Sequence, residues 1–271
     1  MIRREELGGW TLVAHQQHAH LAGEFALHWG NRDFAAPEPF ADILTAVKRH
    51  DDAWVERDAQ PVLTHEGRPG AFSRELVGSY SAFEDIDLAD YLAVRGRATA
   101  VVALDNPYAA VLISMHTVNL LTEQADLRGL APDQLSLHRQ FITGQLQRQN
   151  ELIAAAAALH PPSDLDPLQL RRAFEFLQLC DNLSLMTCVG YPRSITLRHL
   201  HPRRDGSQVS LVCTPLSPTH YRVSPFPFGQ DELHLKVAAR RLAGGTFVDQ
   251  TALRSAYASA PLEELDVFIL R

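Results

Sequence analysis

The chain has 271 residues, is 46% hydrophobic and carries a formal net charge of −7. That length allows one large domain or two small ones, and the apolar share is ample for a sizeable core. An acidic balance with scattered basic residues gives no electrostatic footing on nucleic acid or on an anionic membrane, so neither is expected as a partner.

Taken in chain order, Trp10 to Ala14 reads as a short lead-in strand. Helices are expected over 15–29, 38–54, 84–103, 107–127, 132–158 and 166–188. Asn106-Pro107 and Asp166-Pro167 are helix starts, each a capping side chain followed by proline in the first turn. The stretch 57–75, with Gly67, Pro69 and Gly70, reads as a long loop placed to serve as a lid over whatever the 38–54 helix carries. The alanine-rich run at 154–159 is simply a strong helix former.

From about 191 the pattern turns to β. ITLRHL and QVSLVC flank Asp205-Gly206, and HLKVAARRL and TFV flank Gly244-Gly245, so two hairpins are expected. The prolines of VSPFPF break the ladder, a helix follows at 249–259, and LDVFIL closes the chain as a strand. The fold class expected is mainly α: an all-α bundle over residues 1–190, with a small antiparallel β extension and one helix over 191–271 packed on it.

Helix register then singles out polar residues on apolar faces. His18 shares a stripe with Leu21, Ala22, Phe25 and Trp29; His50 with Ile43, Val47 and Trp54; His116 with Ala109, Leu112, Ile113 and Leu120; Asp181 with Phe174, Leu177 and Leu185. A lone histidine on such a stripe is more often a hydrogen-bonded core residue than a ligand, and a lone Asp181 could brace a neighbouring helix. Four of them, with Asp51 beside His50, are better explained by convergence on one divalent ion, since each buried polar group is costly alone. Imidazole and carboxylate together suit iron, manganese, zinc or nickel.

His15 and His20 flank His18 but point elsewhere on the helix, toward the surface or a second layer, with His20 the competing ligand. Asp52 points away from Asp51 but could reach the site at a frayed helix end as a proton carrier; it and His116 are the candidate catalytic groups. His65 and His138 are candidates for a second ion, with a solvated state the commoner one for each. His199 and His201 share a strand face, and surface exposure is expected for them and for His220 and His234. There is no GxSxG, Walker loop, GxGxxG after a strand, or HExxH.

The order His18, His50-Asp51, Asp181 resembles the HD-domain superfamily of metal-dependent phosphohydrolases and related di-iron oxygenases. QQHAHLAGEFA resembles its first helix, HDDAW its HD helix and FLQLCDNLSL its last. The finer pattern is more similar to an uncharacterised bacterial family with GW near the N-terminus, QxxHAxLAG, HDDGW, SxH and a closing LxxxDxLSL; here these are Gly9-Trp10, Gln16-Gln17-His18, His50 to Trp54, Ser114-Met115-His116 and Asp181 to Leu185. Ala53 departs from that family's glycine. The resemblance implies an HD-like bundle holding one or two divalent ions through His18, His50, Asp51 and Asp181, with His116 as a further ligand. It implies a small-molecule substrate and metal-dependent hydrolysis of a phosphate ester or anhydride, with Arg49 and Arg193 as possible phosphate-facing cations. The alternatives are a di-iron oxygenase of the same superfamily and a non-catalytic metal- or ligand-binding module. Nothing in the chain specifies an oligomeric state. Cys180, Cys188 and Cys213 form neither a metal-type pair nor a disulfide framework, no apolar run reaches bilayer length, and MIRREELGGW is too polar for a signal peptide, so a cytoplasmic protein is expected.

Overall fold

The N-terminus forms a hairpin of a largely charged strand and an apolar one. β1 (Ile2–Glu6) and β2 (Gly9–Val13) pair antiparallel, Ile2 opposite Val13, across a turn in which Gly8 takes a φ of +82°. The structure, a computed structural model, describes residues 1–73 and 87–271.

The helices follow their local signals closely. α1 (His15–His28) leads to α2 (Phe40–Arg49), which stops five residues earlier than the sequence suggests; a 3-10 turn at Asp52–Trp54 and α3 (Val55–Asp58) complete the expected 38–54 segment and a little more. α4 (Leu88–Val102) follows; residues 84–86 of its expected range lie outside the described residues. α5 (Pro107–Asn119) runs into a π-helical turn (Leu120–Gln124), and α6 (Pro132–Ala156) and α7 (Pro167–Val189) come next. The two Asx-Pro starts cap as expected: Asn106 accepts from the Ala109 N–H and Asp166 from the Leu168 N–H. Gly190 ends α7 in the left-handed region at φ +63°.

The sheet is far larger than expected, and the mainly α reading with a small β extension is overturned. The chain is 47% helical and 22% strand, an α/β fold. Beyond the short β3 (Val62–Leu63), β4 (Pro69–Gly70) and β5 (Phe72–Ser73) come β6 (Ile195–Thr196), β7 (His201–Pro202), β8 (Gln208–Val209), β9 (Val212–Pro215), β10 (His220–Ser224), β11 (Glu232–Ala243) and, after α8 (Gln250–Ser259), β12 (Leu262–Leu270). Eight of them form one mixed sheet in the order β5-β1-β2-β11-β12-β10-β9-β6, parallel at β5–β1 and β12–β10.

β11 is the reason. Leu233, Leu235, Val237 and Ala239 all face inward on strict alternation, and a strand of that length needs long partners on both sides. TFV is too short to be one. β12 supplies Leu265, Val267 and Ile269 in register, and β2 takes the other edge. Gly9 makes the second pairing possible, because a Cβ there would collide with the Leu242 carbonyl oxygen. Residues 1–190 and 191–271 therefore share one sheet.

The lid reading of 57–75 also changes. β3 pairs with β4, β5 joins the sheet edge at β1, and Gln250 of α8 accepts from the Leu63 N–H at 2.8 Å and donates to the Pro61 carbonyl. The segment is thus stapled to the sheet edge and α8; its last two residues, 74 and 75, lie outside the described residues.

α7 is buried on nearly every face and packs on α1, α5 and β1, with α2 closing the bundle. Each fully buried side chain such as Phe25, Phe174 or Leu177 contributes about 1.5–3 kcal/mol. Among the described residues no helix is long and apolar enough to cross a membrane.

Candidate metal centre

Where α1, the end of α2 and the middle of α7 meet, the core turns polar. His18, His50, Asp51 and Asp181 are all buried there. His50 occupies the C-cap of α2, where the last carbonyls of a helix lack intrahelical donors. Its Nδ1–H donates to the Val47 carbonyl at 2.8 Å. That bond fixes the tautomer and leaves the Nε2 lone pair inward, where it has no hydrogen-bond partner; it lies 3.4 Å from Asp181 Oδ1 and 3.7 Å from Asp51 Oδ2. His18 is set the same way. Ser184 spends its one hydroxyl proton on the His18 carbonyl at 2.8 Å, so its oxygen accepts from His18 Nδ1–H at 2.7 Å. His18 Nε2 then faces Asp181 Oδ1 at 2.9 Å.

When neutral, the two imidazoles aim lone pairs at one carboxylate. Acceptors against an acceptor repel unless something positive lies among them. Ligand atoms of His18, His50 and Asp51 lie within 4.8 Å of one another. Ligands about 2.1 Å from one tetrahedral ion sit roughly 3.4 Å apart, so a modest contraction suffices. The donor set, two imidazole nitrogens and two carboxylates on separate elements, fits a divalent transition ion.

Without an ion, the positive charge among these groups is a proton on His50. Burial pulls the His50 pKa down, but Asp51 and Asp181 lift it to about 9. Burial alone would raise the Asp51 pKa; Arg95 and then His50 hold it well below the ordinary carboxylate range. Asp181 is likewise held low against burial by the adjoining His18 and His50 and by the nearby His116. Asp51 divides its oxygens: Oδ1 accepts from Arg95 Nη1 at 2.7 Å, and Oδ2 faces His50.

The other expected residues scatter. His116 is buried beside the cluster, its ring 5.1 Å from that of His50, and burial pushes its pKa down to about 3. Its Nδ1 accepts from Gln178 Nε2 at 2.5 Å. Asp52 is engaged instead by Arg49 Nε at 2.9 Å and Gln16 Nε2 at 3.5 Å. His20 and His65 are exposed. His138, expected to be solvated, is buried and bonds the Leu121 carbonyl. His201, expected at the surface, is buried and His199 half-buried, because the chain after α7 folds under Trp29 and Phe174; His234 is exposed and His220 half-buried. Arg49 pairs with Asp52 and Asp105, and Arg193 is exposed.

The sequence reading missed Arg95. It lies in α4 with Tyr91, Leu92, Ala98 and Thr99 buried around it, the same test that picked out the histidines, and an arginine is rarely buried unless paired. Its Nε bonds the Tyr91 hydroxyl, and its guanidinium lies 5.3 Å from both the Trp54 and Tyr91 ring centroids. His15, expected at the surface or in a second layer, is buried; it stacks on Trp54 at 4.3 Å and pairs with Asp58, which also accepts from the first backbone N–H of α1. Gln178 and Ser184 left no signal beyond lying one turn either side of Asp181.

Fold and site together define an α/β protein with a buried two-histidine, two-aspartate cluster at a helix junction. Residues 1–244 match the family described as "Protein of unknown function (DUF3891)", and the chain belongs to that family. The match takes in every residue of the cluster and carries neither an activity nor an HD-domain assignment. No curated protein and no solved structure matches the chain.

Proposed function

We propose that the protein is a metal-dependent hydrolase of the HD type, acting on a small phosphate ester or anhydride in the cytoplasm. The observation that carries this reading is the buried, unpartnered His50 Nε2, fixed by the Val47 carbonyl and faced by His18, Asp51 and Asp181. These four residues would hold one divalent ion. Bound there, such an ion supplies Lewis acidity toward a phosphoryl oxygen and acidifies water. The chain's own residues do the rest. Val47 and Ser184 orient the two imidazoles, and Arg95 holds one oxygen of Asp51 and keeps the other turned to the cluster. Arg95, though paired with Asp51, is also the buried cation nearest the cluster and so favours a phosphoryl group there. The cytoplasm is favoured by Cys180, Cys188 and Cys213 all being free and buried.

A di-iron oxygenase would need a second ligand set, and among the described residues one such group is found. The test is metal analysis of protein purified without chelator, then a screen of phosphate esters and nucleotides beside oxygen consumption by the iron-loaded protein. Hydrolysis lost in Asp51→Ala is expected. Oxygen-dependent turnover without phosphate release would overturn the reading in favour of the oxygenase. Metal held with neither activity would favour a binding module.

A further inference from the structure

We infer that Gln178 is a positioning residue that sets the proton on His116, making His116 a hydrogen-bond donor at the edge of the cluster rather than a ligand. This rests on the metal reading for its consequence, not for its geometry. Three amides form a directed chain. Gln124 Nε2 donates to Asn119 Oδ1 at 2.8 Å and to Gln178 Oε1 at 3.4 Å. With its carbonyl so occupied, Gln178 turns its Nε2 to His116 Nδ1 at 2.5 Å. An amide nitrogen can only donate, so with the three amides turned this way Nδ1 accepts and the ring proton of neutral His116 sits on Nε2. A protonated ring nitrogen has no lone pair for a metal.

His116 is therefore the opposite of its neighbours. In His18 and His50 a serine oxygen and a backbone carbonyl accept from Nδ1–H and free Nε2 as a ligand. In His116 an amide donor does the reverse. The source of the donor is the π-helical turn Leu120–Gln124, which brings Gln124 back over Asn119 and toward α7. The cluster is thus built for one ion, with the Nε2–H of His116 left to meet an electron-rich oxygen of a substrate.

The experiment reads the tautomer directly, by long-range proton–nitrogen correlation on full-length protein labelled in its histidines and stripped with chelator, with His116→Gln assigning the signal. The parent is expected to show His116 with its proton on Nε2. Gln178→Glu replaces the donor by an acceptor and should move the proton to Nδ1; Gln178→Met, nearly the same shape, should leave a mixture and keeps the test alive if a buried glutamate prevents folding. A proton on Nδ1 in the parent, or an Nε2–H pattern unchanged in both variants, overturns the inference. Zinc loading is the independent arm: His116→Ala should still hold one equivalent, and loss of zinc in that variant but not in the parent would make His116 a ligand. A parent that binds no zinc counts against the hydrolase reading and leaves the tautomer result to decide this one.

Discussion

Two histidine pairs, His18 with His50 and the half-buried His199 with the buried His201, show how little burial alone says about an imidazole. His50 and His201 each have an Nε2 without a hydrogen-bond partner. At the helix junction, Asp51 and Asp181 overcome the desolvation of His50 and raise its pKa to about 9. In the corner after α7, His201 packs against Trp29, and burial followed by the nearby His199 pushes its pKa down to about 3. Two carboxylates face His50 and none faces His201, whose neighbour His199 alone has Glu175 at 3.7 Å; that difference, not the depth, makes the first a cation site. The contrast can be broken or sharpened by experiment.

The largest effect should come from the arginine that completes the cluster. Arg95→Met leaves Asp51 charged and buried without its hydrogen-bonded cation, which typically costs about 3–5 kcal/mol. For a chain of this size that is a fall in Tm of roughly 10 °C. Asp51→Asn added to Arg95→Met should recover part of it, by removing the stranded charge. A single variant as stable as the parent would mean the cluster tolerates its negative charge without Arg95.

Much of this cluster was legible because a polar residue on an apolar helical stripe is visible at 3.6-residue spacing. His18, His50 and Asp181 announce themselves that way, and Arg95 would have done so had arginine been put to the same test. What was not legible is long-range. The tautomers depend on Val47, Ser184 and Gln178, whose partners are set by packing. The sheet depends on β11 choosing β2, more than two hundred residues away, over the nearer TFV. Local turn signals at Gly244-Gly245 favoured the hairpin; the length and alternation of β11 outweighed them.

Next in size is the ion itself. A ligand at a hundredfold its Kd stabilises by about 2.7 kcal/mol. Chelator should therefore lower the parent's Tm by several degrees and leave Asp181→Ala, which lacks the carboxylate shared by both histidines, unmoved. Equal sensitivity in the two proteins would make Asp181 a brace between helices.

The two histidine regions should also fail at opposite ends of the pH scale. His201 has its folded pKa below the ordinary 6.5, so the unfolded chain takes up the proton first. Its contribution is present above pH 6.5 and is lost as pH falls toward about 3, at about 1.4 kcal/mol per unit. His50 is the reverse in chelated protein. With its pKa raised, its contribution is full below pH 6.5 and is lost as pH rises through about 9. Melting curves of His201→Gln should lose about 2 kcal/mol of the acid slope between pH 7 and 5, retain the share of the likewise depressed His116, and keep the alkaline slope. An acid slope unchanged by that substitution would mean His201 is not what titrates.

The smallest effect is expected at the residue next to the cluster in sequence. Asp52 follows Asp51 directly, yet its carboxylate is half-exposed and bonded to Arg49 and Gln16, with no bond to the four ligands. A pair so placed is worth about 0.2–1 kcal/mol. Asp52→Asn should thus shift Tm by only a few degrees, keep the metal content of the parent and leave the pH profile of any phosphate release in place. The result that would matter is metal retained with hydrolysis lost. That would show Asp52 leaving Arg49 to carry a proton during turnover, and would extend the working site one residue beyond the carboxylates that separate the two histidine pairs.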